Sequence, residues 1–141
     1  MGVFTDINQV LKKAVIDGAF ASSTQIVFEN NEDKADKSQQ WLAVFILPAP
    51  AEQASLGGSG IGTDSHAGIM QIDINAPILA GVSGLMQKAD EINSYLKSGA
   101  IFQLNETCVS ISNVSVSRVF TGQGFATLPV TIEYFLQSMR V

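Results

Sequence analysis

The chain is poor in the side chains that carry chemistry. It has one histidine and one cysteine among 141 residues. With His66 alone, no triad with histidine as base and no two-histidine metal site can be assembled within one chain. Cys108 alone cannot close an internal disulfide, and its strand-like neighbours suggest a buried structural thiol. Charge is scarce as well, with 15% of residues being Asp, Glu, Lys or Arg, against a usual share of about 25%. The net charge is −5, and no Lys or Arg occurs from Ser38 to Gln87. A protein that grips nucleic acid needs cations to displace phosphate counterions, so sequence-specific DNA binding is not expected. No apolar run reaches the roughly 20 residues that span a bilayer. The N-terminus lacks the basic start and apolar core of a signal peptide, so a protein made in the cytoplasm, with no membrane partner, is expected.

Three stretches come close to known motifs and miss. GGSGIGTDS has the look of a phosphate cradle, but it lacks a GK[ST] ending, its spacing is not G-x-G-x-x-G, and it precedes a strand instead of opening a helix. Neither GVSG nor GGSG matches the G-x-S-x-G elbow. Asp90 and Glu91 are adjacent on a predicted helix and therefore diverge, while Asp64 beside His66 reads as a solvated loop pair. No catalytic residue, metal or cofactor is expected.

What is present is a strand and a helix in one unit, Gly68 to Gly99. Met70, Ile72 and Ile74 alternate with Gln71, Asp73 and Asn75, the pattern of a strand with one wet face. Pro77 stops it, having no N–H to donate. Leu85, Ala89, Ile92 and Leu96 then form a helical stripe, with Ser83 as expected N-cap and Gly99 as expected C′ residue. Upstream, Asp6 and Gln9 read as a capping box for a helix whose stripe is Ile7, Val10, Leu11, Ala14 and Val15. Thr24 to Phe28 reads as a short strand, and ENNEDKADKSQQ as an exposed connection.

WLAVFIL, Trp41 to Leu47, is apolar throughout and predicts a strand covered on both faces. Pro48 to Ala67 shows no periodic element. Within it Leu56, Gly57, Gly58, Gly60, Ile61 and Gly62 read either as a mobile arm that binds a partner or as a disordered insertion. Downstream, Ala100 to Leu104, Thr107 to Phe120 and Phe125 to Leu136 read as strands. A bulge is expected near Asn113, a hairpin at Gly122 and Gly124, and an edge or bulged position at Pro129. The chain thus predicts a single α+β domain over 1–141. One mixed or antiparallel sheet carries two main helices, and a long flexible loop joins two central strands. Hydrophobic residues make up 46%, so part of the surface should be covered by other chains.

The stretches WLAVFILPAPAEQASLGG, GIMQIDINAP and FATLPVTIEYF give the chain a family resemblance. Within them P-A-x-x-x-Q-A-x-L-G-G and Q-x-D-x-x-A-P are the most specific parts. The sequence resembles bacteriophage tail terminator (tail completion) proteins, similar to the lambda-type terminator, over Asp6 to Phe135. The resemblance implies a homo-oligomer, a hexameric ring on the last ring of the tail tube. Such a ring stops tube polymerisation and offers a surface to the head-tail connector or neck protein. Its implied place is the virion, after assembly in the host cytoplasm, with DNA passing through unread. On that view Gln71, Asp73 and Asn75 line a lumen or inter-subunit face, unless they form an ordinary solvated strand face. Another neck or tail-completion component is the nearest alternative. A small acidic enzyme or ligand-binding domain is the alternative of a different class, and would need a concave pocket with convergent polar groups.

Overall fold

The structure is a computed structural model that describes residues 3–29, 33–48, 52–53, 63–78, 82–104, 107–122 and 124–139. The N-terminal stripe forms helix α1 (Val3–Asp17) and all five stripe residues are buried. The helix starts before the expected capping box, so Asp6 lies in its first turn, where a carboxylate faces the positive end of the helix dipole. A 3-10 turn at Ser23–Gln25 leads into β1 (Ile26–Phe28), which runs parallel to β2 (Trp41–Pro48) with Ile26 opposite Leu42. β3 (Glu52–Gln53) and β4 (Thr63–Pro77) follow, then α2 (Ser83–Tyr95), β5 (Ile101–Leu104), β6 (Thr107–Val116), β7 (Phe120–Gly122) and β8 (Phe125–Met139).

The strands form one sheet in the order β1-β2-β4-β8-β6-β5, with β3 added to β4 and β7 added to β8. Among the described strands only the β1–β2 pair is parallel, so the sheet is mixed. β4 and β8 pair from Thr63↔Met139 to Pro77↔Phe125. At 15 residues each they run about 50 Å. The helices, with 15 and 13 residues, run only about 20 Å. The central pair therefore outruns the helix layer.

One phase of the alternation makes the core. Leu42 and Val44, Met70, Ile72 and Ile74, Val109 and Ile111, and Leu128 to Tyr134 at every second residue all pack with the stripes of both helices. α1 lies near β5 and β6, and α2 near β4 and β8. Burial of this set is the main source of stability, at about 25 cal/mol per Å² of apolar surface removed from water.

Several expectations change. β2 is covered on one side only: Leu42 and Val44 are buried, Trp41, Ala43 and Phe45 are half-buried, and Leu47 is 51% exposed. Both helices occupy the same face, so the apolar run has only one core-facing phase. The stretch after Pro48 is partly regular, because Glu52 and Gln53 pair with Ser65 and Asp64. β4 consequently begins at Thr63, and the phase that buries Met70 runs back through Gly68 to His66. His66 is therefore buried, opposite Leu136 and edge-on to Phe4 at 5.9 Å, not a solvated loop residue. Cys108 takes the opposite phase to Val109 and Ile111 and is exposed.

The ends of α2 differ as well. Its N-cap is Val82, with no side-chain cap bond, and its C-cap is Leu96, whose N–H reaches Ile92 O. Gly99, at φ +90°, instead serves the turn into β5, where its N–H bonds Ile111 O. The expected bulge is present as a register shift between Ile111 and Asn113. Pro129 lies in a central strand, not at an edge. Its carbonyl accepts from the Ser117 N–H, between the last β6 pair at Val130 and the first β7 pair at Thr127. Its nitrogen faces the same interruption, so the missing donor breaks no ladder bond.

Candidate functional site

Among the described residues no helix or second sheet packs on the face of the sheet turned away from α1 and α2. Register sets its rows. Trp41, Asn75, Thr127 and Phe120 stand side by side on β2, β4, β8 and β7. The next rows are Ala43, Asp73 and Pro129, then Phe45, Gln71, Thr131 and Ser115, then Leu47, Ile69, Glu133 and Asn113. Ala67, Phe135, Ser110 and Ile101 close the far end.

The predicted trio Gln71, Asp73 and Asn75 therefore projects from one strand onto this face, and side-chain hydrogen bonds lock it. Gln71 Nε2 donates to Asp73 Oδ1 at 2.8 Å. Asn75 Nδ2 donates to Asp73 O at 3.2 Å, and Thr127 Oγ1 donates to Asn75 Oδ1 at 2.7 Å. Asn75 is only 6% exposed, and the two bonds account for both ends of its amide. The other predicted residues, Leu56, Gly57, Gly58, Gly60, Ile61 and Gly62, lie outside the described residues. The strands that flank them, β3 and β4, are paired with each other.

Three zones follow along the face. One end is aromatic: Trp41 meets Phe125 edge-on at 5.9 Å, and Lys37 Nζ lies 3.7 Å from the Trp41 ring centroid. Together with Phe120 and Thr127 these residues border a cleft of about 510 Å³; a separate cleft of about 420 Å³ lies between Ile16 and Phe28. Lys37 also bonds Asp33, and with the Ala35 N–H it holds the Asp33 carboxyl below the ordinary range. The middle is polar and carries the trio with Thr131 and Asn113. The far end is apolar and exposed, at Leu47 (51%), Phe135 (41%) and Ile101 (64%).

The rows named above bear two carboxylates, Asp73 and Glu133, and no Lys or Arg. Among the described residues no group of three or more His, Cys, Asp and Glu side chains could hold a metal ion. No described helix is long and apolar enough to cross a membrane. The site has the makeup of a contact or lining surface. Sequence reasoning missed Trp41, Phe120 and Phe125 as neighbours of Asn75, because only register places them there.

The model of a family described as phage tail terminator protein matches residues 6–134. The chain belongs to the phage tail terminator family. Among curated proteins no sequence matches. Seventeen chains of solved structures match, and one of them shares 19% identity at a TM-score of 0.78. That alignment covers 99% of this chain and 100% of the other, and at such identity it shows the fold alone. Membership in the terminator family makes the chain a structural protein of a phage tail, a virion component that meets tail and head components.

Proposed function

We propose that copies of this chain close into a six-membered ring on the last ring of the tail tube. The ring stops tube polymerisation and presents the surface to which the head-tail connector or neck protein binds. The observation that carries this reading is the terminator family match over residues 6–134. The low charge and the uncovered sheet face support it, since both suit a subunit fitted among other chains. Gln71, Asp73 and Asn75 line either the lumen or a contact between subunits. A face whose strand rows carry carboxylates, with Lys37 at its aromatic end paired to Asp33, repels phosphate, so DNA slides past it without sequence-specific binding. The stretch Leu56, Gly57, Gly58, Gly60, Ile61 and Gly62 contacts the tube or a neighbouring subunit. Assembly takes place in the host cytoplasm, and the finished ring sits in the virion near the neck.

The test is tube growth. Purified protein added to polymerising tube subunits shortens the length distribution seen by electron microscopy and leaves extra density at tube ends. Unchanged lengths with bare ends overturn the proposal.

A further inference from the structure

We draw no further inference here: the strongest candidate, the band of exposed apolar side chains formed by Leu47, Phe135 and Ile101 across the open sheet face, is an unpartnered surface and nothing in the structure shows what covers it.

Discussion

Gly68 and Tyr134 offer a two-sided test of how the central strands pack. They are opposite one another in the β4–β8 register, and Tyr134 is 1% exposed. A Cβ at Gly68 would stand 2.5 Å from Tyr134 Oη and 2.6 Å from the Leu47 carbonyl oxygen. The phenol thus occupies the space that the missing side chain leaves. Gly68→Ala must move either the ring or the backbone of β2, and overpacking of this kind costs about 1–3 kcal/mol. The Tyr134 hydroxyl itself is buried and has no hydrogen-bond partner among the described residues. A buried hydroxyl left unpaired costs about 1–3 kcal/mol, partly offset by the packing of the oxygen. Tyr134→Phe is therefore expected to stabilise the fold by about 1 kcal/mol, or about 3 °C in Tm.

The same burial raises the Tyr134 pKa above its ordinary 10.0. The unfolded chain releases this proton near pH 10 while the folded chain holds it. The contribution is thus complete below that pH and is lost as pH rises through the folded value. Thermal melts by circular dichroism at neutral pH and above pH 10 read both effects. The wild-type protein should lose more stability at high pH than Tyr134→Phe, with Tyr95 common to both. A Phe variant less stable than wild type by 1 kcal/mol or more at neutral pH would show that the hydroxyl has a partner, and the reasoning would fail.

Gly99→Ala meets open space but keeps a φ of +90°, so backbone strain alone should cost about 1–2 kcal/mol; an unchanged denaturant midpoint would refute that. Asp73→Lys places a cation at the centre of the open face, away from the core. Melting should shift by less than about 1 kcal/mol, while complementation of a terminator-deficient phage should fall; full complementation would remove Asp73 from the proposed lining. Deletion of Leu56 to Gly62 spares β3 and β4. It should leave a cooperative melt and abolish tube termination, and tubes of normal length would show that the stretch is dispensable.

The fold was legible wherever one side chain period met one buried face. Ile7 to Val15 and Leu85 to Leu96 at helical spacing, and Met70 to Ile74 in alternation, fall in the core as read. The bulge at Asn113 was legible because the apolar phase changes there. Readings failed where the answer depended on a neighbour distant in sequence. Trp41 to Leu47 shows no alternation, so only the placement of both helices on one side reveals which phase is inside. His66 looked like a loop residue because Asp64 and the preceding glycines hide the start of β4. Pro129 read as an edge or bulged position because a gap in the adjoining strand cannot be seen along the chain. For the candidate site, the strand alternation put Gln71, Asp73 and Asn75 on one face, but the Thr127–Asn75 bond spans 52 positions and needs the register.

The composition and the architecture meet in the uncovered face. A sheet with one face in water ordinarily turns charged and polar side chains outward. Here the outward rows hold Thr, Gln, Asn, Ser and Pro with apolar residues, and two carboxylates. Covering amides and hydroxyls that are already bonded, as those of Gln71, Asn75 and Thr127 are, costs far less than desolvating ions. The outermost strands in the sheet order are short, with three residues in β1 and four in β5. Such short edges give strand addition little to build on. In the proposed ring, contact through side-chain faces is thereby favoured over backbone pairing between copies, and the geometry of those faces, rather than an extendable ladder, then determines whether the ring closes.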